Sequence, residues 1–241
     1  MKKLIKFAFV IALLQCLHAC KTIDAHLFPK KEKQLSGLSI GAVGVENGLF
    51  ESGFERKSQP NSNKKLRVSI QQKTFSNNHF KRFEQMQGSE KMGLKYIDSL
   101  PLKPSYFEIE LTDDIAYATS IREDVNKGVY AFAKANKNTR VVTKLSLVFK
   151  DEGPTNGAIF YITKGIQGAS QLEAILKDGS RKLYQFSDAV LFDYELSYFC
   201  WGTDSYGKIV AFDLVEEGKS CARPLSRKAK TFNKEKNLFN Y

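Results

Sequence analysis

Apolar and polar side chains alternate along most of the chain after residue 139, which is the period of a strand with one face in the core. Leu145 and Leu147, for example, share one face of such a strand. Strands are predicted over residues 141–149, 158–163, 170–177, 181–186, 192–200 and 208–215. Asp178 and Gly179 suit a tight hairpin because both residues tolerate a positive φ.

Strand patterns also occur earlier, over residues 35–45, 66–75 and 106–111. Gly37 and Gly41 lie in the first of these segments. No GK[ST] motif follows them, so they favour turns rather than a phosphate loop. Between the second and third segments, Phe80, Phe83 and Met86 recur at threefold spacing. Such a stripe is more typical of core packing than of a cofactor site.

A second helical pattern follows residue 112. Thr112 or Asp113 can cap a helix that begins near Asp114, where acidic groups favour the positive end of the helix dipole. The side chains predicted to face inward are Ile115, Ala118, Ile121 and Val125. Gly128 breaks or kinks the run, so residues 113–136 are predicted to form either one helix or two.

The strands and helices together predict the fold class. Successive strands with short connections favour an antiparallel β meander, and the helical segments can cover its apolar face. We therefore expect an α+β fold with one to three helices packed on one side of the sheet.

Residues 1–20, MKKLIKFAFVIALLQCLHAC, are typical of an exported protein. Lysines at positions 2, 3 and 6 are followed by an apolar run at residues 7–14, which is too short to span the roughly 30 Å of hydrocarbon in a bilayer. Leu17, Ala19 and Cys20 resemble a bacterial lipobox, although His18 departs from it. This order predicts cleavage before Cys20 and a lipid on Cys20. An ordinary secretory signal with a coincidental cysteine is the alternative.

Cleavage before Cys20 removes 19 of the 241 residues and leaves 222, enough for one sizeable core. The chain is therefore predicted to contain one globular domain. Its predicted parts are a signal peptide at 1–19, a tether at 20–34, the α+β domain at 35–222 and a basic tail at 223–241.

Positive charge is concentrated at the C-terminus. The formal net charge of +11 falls to +8 without the three lysines of residues 1–19, and residues 219–241 hold +6 of it. A nucleic-acid partner is therefore not predicted. The basic tail could instead contact anionic lipid head groups, and a solvated, frayed end is the alternative. The candidate contact residues are Arg227, Lys228, Lys230, Lys234 and Lys236.

Cys200 and Cys221 remain once Cys16 leaves with the signal peptide and Cys20 carries lipid. In an oxidising envelope an even pair predicts a disulfide, which would close about 21 residues and contribute ~3 kcal/mol. Two free buried thiols are the alternative. Two sulfurs without CxxC spacing do not predict a metal site, and no cofactor is expected.

Candidate catalytic residues are few. His79 is predicted to lie on the surface or in a helix cap, and a triad would need partners that spacing cannot identify. The Asp113 and Asp114 pair fits capping, and Glu108 with Glu110 fits the solvent face of a strand, so neither pair predicts acid and base catalysis.

The aromatic residues near Cys200 offer two interpretations. Tyr198, Trp201 and Tyr206 could form an aromatic platform for a ligand. The alternative is a packed strand end, since large aromatic side chains usually bury their area.

Three segments resemble a group of small lipoproteins from Bacteroidota: KPSYFEIELTDDIAYATSI (103–121), KDGSRKLYQFSD (177–188) and AVLFDYELSYFCWGTDSYGKIVAFDLVEEGKSC (189–221). The shared features are a KPS-type strand, a helix, a strand meander, an FCW tripeptide and a later cysteine, over about residues 100–225. The resemblance implies a Gram-negative envelope. It brings no known activity, ligand or catalytic residue.

The residues after Cys20 lack the acidic run that favours surface display, so the predicted location is the outer membrane, facing the periplasm. The predicted function is a lipid-anchored, non-catalytic interaction or scaffold module. Its predicted partners are the membrane, through the lipid on Cys20, and an envelope protein or an anionic lipid. The alternatives are an envelope hydrolase with an unrecognised site and a small-ligand binding module around Trp201.

Overall fold

The computed structural model of the protein describes residues 35, 37–47, 53–61, 65–87, 92–99, 101–155, 157–165 and 169–232. Several predictions lie outside these residues. They are the signal peptide, the lipidation of Cys20, the tether, and the roles of Lys234 and Lys236.

The ten strands of the described residues form one antiparallel sheet. Its strands are β1 (Val43–Asn47), β2 (Gly53–Ser58), β3 (Leu66–Thr74), β4 (Ser105–Leu111), β5 (Thr139–Phe149), β6 (Ile159–Lys164), β7 (Ser170–Ile175), β8 (Arg181–Gln185), β9 (Ala189–Thr203) and β10 (Ile209–Glu216). Eight strands form a half-barrel in the order β10, β9, β5, β4, β3, β6, β7, β8. In addition, β1 pairs with β2 and with the start of β5.

The predicted α+β class and the meander are confirmed, but the strand order is not a simple succession. Strands β3 to β5 pair in sequence order, as do β6 to β8 and β9 with β10. Strand β5 pairs with β4 and β9 rather than with β6. All but one of its eleven residues are buried, which suits a strand that has neighbours along both edges.

The hairpin predicted at Asp178 and Gly179 is confirmed. It joins β7 to β8, and Gly179 has a φ of +81°. The Asp178 carboxylate accepts hydrogen bonds from the backbone N–H and the hydroxyl of Ser180, at 2.9 and 2.6 Å. The side chain and the glycine therefore both specify this turn.

Three α-helices are described: α1 (Asn77–Met86), α2 (Asp114–Ser120) and α3 (Lys127–Ala135). A 3₁₀ turn at Asp124–Asn126 separates α2 from α3, so the region predicted as one helix or two contains two. The predicted cap is confirmed, because Asp113 Oδ1 accepts from the N–H of Ala116 at 2.8 Å.

The inward face predicted for this region is wrong at two positions. Ala118 and Ile121 are buried as predicted, but Ile115 is 64% exposed and Val125 is 55% exposed. Tyr117 takes the inward position on α2 that the prediction gave to Ile115. The end of α2 before the 3₁₀ turn interrupts the helical phase that would have turned Val125 inward.

The apolar side chains form two clusters on opposite faces of β4 and β5. Tyr106 and Val148 belong to one cluster, whereas their strand neighbours Phe107 and Leu147 belong to the other. Helix α1 contributes Phe80 and Phe83 to the first cluster. Helix α2 contributes Tyr117 and Ala118 to the second cluster, and Ile121, which caps its C-terminus, belongs to the same cluster. The predicted placement of all helices on one side is not confirmed.

The segment before β1 was predicted to begin a strand at residue 35, whereas the strand begins at Val43. Gly37 and Gly41 have φ values of +76° and +82°, so they turn the chain as predicted. Leu38, Ser39 and Ile40 are nevertheless buried, and this segment therefore forms a wall of the domain rather than a loose approach to it.

Candidate functional site

A cavity of about 750 Å³ lies between the segment before β1, strands β5 and β9, and the adjoining ends of β7 and β8. Its volume falls within the roughly 300–1,000 Å³ that is typical of small-molecule sites. The wall combines residues that are distant in sequence, such as Leu38, Leu147 and Leu191. Only the fold brings them together.

The side of the cavity formed by β5 and β9 is aliphatic, whereas aromatic and polar side chains contribute to other parts of the lining. Leu145 and Leu147 point into it from β5, and Leu147 is directly opposite Leu191 of β9 in the strand register. Side chains that are directly opposite in an antiparallel pair lie on the same face of the sheet. The two central strands therefore present one continuous leucine surface, which Leu35 and Leu38 extend.

Three of the polar side chains that line the cavity, Ser39, Gln59 and Ser170, are linked by hydrogen bonds. The Ser39 hydroxyl lies 3.0 Å from the Ser170 hydroxyl and donates to Gln59 Oε1 at 2.9 Å. Gln59 Nε2 donates to the carbonyl of Ile40 at 3.1 Å. These hydrogen bonds fasten the segment before β1 to β7, and they hold one wall of the cavity in place.

Two basic side chains, Arg56 and Lys150, lie at the exposed rim of the cavity. The Arg56 guanidinium donates from Nη1 to the carbonyl of Gly37. None of the cavity-lining residues that the structure describes is an aspartate or a glutamate. The described part of the rim thus includes a guanidinium and an ammonium group.

The three aromatic residues predicted as a ligand platform have different surroundings. Trp201 is 2% exposed and packs against Tyr130 and Phe199, whereas Tyr206 is 85% exposed in the turn between β9 and β10. The Tyr198 ring contacts the guanidinium of Arg140 at 3.5 Å. Trp201 thus has the packed position that the sequence left open as the alternative to a platform.

Part of the predicted basic tail is docked onto the sheet. Ser226 exchanges backbone hydrogen bonds of 2.7 and 2.9 Å with Trp201, and Ala229 is buried. The Arg227 guanidinium lies 4.2 Å from the centre of the Tyr198 ring. Lys228 and Lys230 are exposed. The chain therefore packs against the domain beyond residue 222, the predicted end of the globular part.

Cys200 and Cys221 lie at disulfide-bond distance, with their Cα atoms 5.6 Å apart, which agrees with the predicted bridge. Cys200 is buried in β9, and Cys221 follows β10. The bridge therefore joins the sheet to the start of the C-terminal segment.

His79 lies in the first turn of α1, where its N–H donates to Ser76 Oγ at 3.3 Å. Its Nδ1 is 3.2 Å from the Tyr106 hydroxyl, which donates to Glu108 at 3.1 Å. Burial raises the pKa of Tyr106 above its ordinary value. A phenolate at Tyr106 is therefore disfavoured at neutral pH.

The glutamates that could have been catalytic carboxylates are near lysines. Glu108 lies 3.8 Å from Lys73, and Glu110 lies 3.7 Å from Lys144. Both glutamates are half-buried on β4. Their surroundings are those of cross-strand ion pairs, on a strand whose pattern had predicted only a solvent-facing position for them.

The carboxyl group of Asp114, at the start of α2, has a raised pKa. Burial raises its pKa from the ordinary 3.8 to about 6, and the nearby carboxylates of Asp213, Glu110, Asp113 and Glu216 add to the rise. Asp114 carries charge at neutral pH in an environment that disfavours it.

Replacing Asp114 by asparagine is expected to stabilise the protein more at pH 7 than at pH 4. Because folding raises the pKa of Asp114, its protonated carboxyl group stabilises the folded state. This stabilisation is fully present below pH 3.8 and is lost as the pH rises through about 6. Asparagine does not ionise, so its advantage over aspartate should grow by about 1–2 kcal/mol between the two pH values. Urea unfolding of both proteins at each pH measures this difference, and an equal difference at both would contradict the raised pKa.

Sequence reasoning named none of the cavity residues as site residues. Leu145 and Leu147 were predicted as part of an ordinary strand face, and Gly37 only as a turn. Alternation identifies an inward side chain, but it does not distinguish a cavity wall from a filled core. The only available signal was the pair of early glycines, which marked a turn beside the future wall.

Within the ranges that the structure describes, no three His, Cys, Asp or Glu side chains are grouped so that they could hold a metal ion. In the same residues, no helix has the length and apolar character needed to cross a membrane. Comparisons of the chain with protein family models, with curated proteins and with solved structures found no match.

Proposed function

We propose that this chain is a lipid-anchored envelope protein whose α+β domain binds a small ligand and does not catalyse a reaction. The cavity of about 750 Å³ is the observation that carries the proposal. It would hold the ligand between Leu38, Leu147 and Leu191, so the proposed site differs from the one that the sequence suggested around Trp201.

The construction of the cavity supports a binding role. Leu145 and Leu147 belong to β5, which has neighbours on both edges, and Ser39 is fixed by two side-chain hydrogen bonds. A site on such rigid elements is largely formed before the ligand arrives, which lowers the entropic cost of binding.

The envelope location rests on the sequence. It is supported by the signal-like residues 1–19, the lipobox ending at Cys20 and the resemblance to small lipoproteins of Bacteroidota. The Cys200 and Cys221 pair agrees with an oxidising compartment. The proposed location is the outer membrane, facing the periplasm, where the lipid would hold the domain at the bilayer surface.

The other predicted roles stay predictions. A scaffold role, an envelope protein partner and contacts of the basic tail with anionic lipid have no supporting contact among the described residues. The hydrolase alternative depends on His79, which is not among the residues lining the cavity. The Tyr106 hydroxyl lies 3.2 Å from His79 Nδ1, and its raised pKa disfavours the phenolate that a nucleophile at this position would need.

Native mass spectrometry of the full chain, purified from its own membranes, tests the proposal. We expect a non-covalent adduct that is lost on denaturation. Ala189→Trp fills the cavity and should abolish the adduct, because Ala189 lines it. Ala131→Trp on the exposed face of α3 is the matched control and should retain the adduct. A wild-type protein without an adduct, or one that Ala189→Trp leaves unchanged, would contradict the proposal.

A further inference from the structure

We infer that the domain docks on an anionic lipid bilayer through one face of β6, β7 and β8. This surface lies outside the cavity, and exposed apolar side chains on it adjoin basic ones. The inference does not depend on the cavity ligand. The choice of a bilayer as the partner rests on one part of the proposed function, the lipid on Cys20.

The strand register identifies the face. Phe160 and Leu172 belong to the larger apolar cluster, so they lie on the inner face of the sheet. Successive side chains of a strand alternate between the two faces, so their neighbours lie on the outer face. Tyr161, Glu173 and Leu183 are directly opposite one another across the three strands and form one row of that outer face.

Helix α1 covers the outer face of the sheet elsewhere. It packs on Tyr106, Val148 and Phe192, which belong to β4, β5 and β9. On β6 and β8, by contrast, Ile159 is 47% exposed and Leu183 is 53% exposed. The outer face of β6 to β8 therefore presents apolar side chains to solvent.

These exposed apolar side chains have apolar neighbours. Ile159 is directly opposite Ile175 and lies on the same strand face as Tyr161, and both neighbours are half-buried. Leu183 is in the row of Tyr161, on the next strand but one. A single exposed apolar side chain is ordinary, whereas an apolar patch with a polar rim indicates an interaction surface.

Basic side chains outnumber acidic ones in this patch. Glu173 is 4% exposed, and its carboxylate pairs with Lys65 and, at 3.4 Å, with Arg181. Arg67 is directly opposite Tyr161 and is exposed, and it has no ion pair among the residues that the structure describes. Three cations therefore surround one carboxylate.

The sequence beside the patch contributes no further carboxylate. Residues 56–83, which include β3, and residues 153–172, which include β6, contain neither aspartate nor glutamate. Asp178 is bonded within the hairpin turn. On the neighbouring strand β4, Glu108 and Glu110 each lie near a lysine, at 3.8 and 3.7 Å. The excess of positive charge at the patch is therefore not neutralised by these groups.

A bilayer surface fits both properties of the patch. Apolar side chains can enter the boundary between head groups and acyl chains, and basic side chains are attracted to anionic head groups. The lipid proposed on Cys20 would keep the domain beside the bilayer. Its effective concentration there would be high, so even a weak docking face would be occupied.

Tryptophan quenching tests the contact. Leu183→Trp adds an indole to the patch, and the single native tryptophan, Trp201, is only 2% exposed. The full chain, purified from its own membranes, is placed in vesicles whose lipids carry bromine on their acyl chains. We expect strong quenching with about three parts phosphatidylcholine to one part phosphatidylglycerol, and at least about threefold less without phosphatidylglycerol. Ile115→Trp is the matched control, since Ile115 is 64% exposed on α2, and it should be quenched weakly in both.

Charge-removing variants in the same tryptophan background test the basic side chains. Arg67→Gln combined with Arg181→Gln should weaken docking on the anionic vesicles about tenfold. Lys65 is kept so that the buried carboxylate retains a partner. The control is Lys137→Gln with Lys208→Gln, which removes the same charge from exposed positions outside the patch and should leave the quenching unchanged.

Four results would overturn the inference. Equal quenching at positions 183 and 115 would mean that the domain has no preferred face. Equal quenching with and without phosphatidylglycerol, or a charge variant that behaves like its control, would exclude an anionic partner. If polyglutamate shifts the emission of Leu183→Trp and anionic vesicles do not, the patch binds acidic protein instead.

Flotation of the chain with phosphatidylcholine vesicles tests the anchor separately, because those vesicles offer the patch no anionic lipid. A chain that floats but shows no quenching at Leu183→Trp keeps the proposed anchor and loses the docking face. A chain that does not float, yet is quenched by anionic vesicles, loses the anchor and keeps the docking face.

Discussion

Replacing Phe75 by alanine is expected to lower the free energy of unfolding by about 3–5 kcal/mol. Phe75 is 2% exposed and lies at the centre of the aromatic cluster between α1 and the sheet. Its ring centre is 4.8–5.4 Å from the ring centres of Tyr106, Phe80, Phe83 and Phe192. Truncation would remove all four contacts and leave a cavity that rigid neighbours cannot fill. Urea unfolding of the purified protein measures the effect.

Leu102→Ala is the control for Phe75, because Leu102 is 89% exposed and should change stability by less than about 0.5 kcal/mol. A loss below about 1 kcal/mol for Phe75→Ala would mean that the cluster can collapse around the missing ring. The packing of α1 on the sheet would then be looser than the ring contacts indicate.

The second large effect is expected at the bridge. Replacing both Cys200 and Cys221 by alanine should lower the free energy of unfolding by about 3 kcal/mol, since the bridge closes 21 residues. The closed segment contains the whole of β10 and carries the chain to Cys221. Urea unfolding with and without a reducing agent measures the contribution.

The reducing agent provides the internal control. The reduced wild type should unfold at nearly the same urea concentration as the double alanine variant, and the variant should not respond to reduction. A wild type that is insensitive to reduction would contradict a stabilising bridge between Cys200 and Cys221.

Local sequence patterns predicted most of the strands, because strands use the simplest periodicity, but they missed β2 (Gly53–Ser58), whose last residues are polar. The hairpin between β7 and β8 needed only alternation and the turn chemistry of Asp178 and Gly179. The partners of β5 could not be predicted in the same way. Pairing of β5 with β9 joins residues such as Leu147 and Leu191, which are far apart in sequence. A local sequence pattern does not indicate which distant strand will pair with β5.

The helical region shows where a periodic pattern fails. Ile115 and Val125 fit a single continuous helix, but α2 ends at Ser120 and a 3₁₀ turn precedes α3. A change from α-helix to 3₁₀-helix changes the angle between successive side chains. Residues on either side of the change therefore do not share the face that a single continuous helix would give them. The cap at Asp113 was predictable because it depends on neighbours in sequence.

The candidate site was the least predictable part. Its wall uses Ser39, Gln59, Leu147, Ser170 and Leu191, which come from five different segments. Each residue is ordinary in its own segment, and no catalytic or metal-binding motif marks the group. The cavity exists because the segment before β1 turns at Gly37 and Gly41 and closes beside β7. The sequence shows the turn but not the surface that the turn faces.

An experimental structure of the full chain, isolated from its own membranes without added ligand, tests the central claim most directly. We predict non-protein density in the cavity, in contact with Leu147 and Leu191. A cavity that holds only solvent, or one that the chain's own side chains fill, would contradict the account of this domain as a small-ligand binding module.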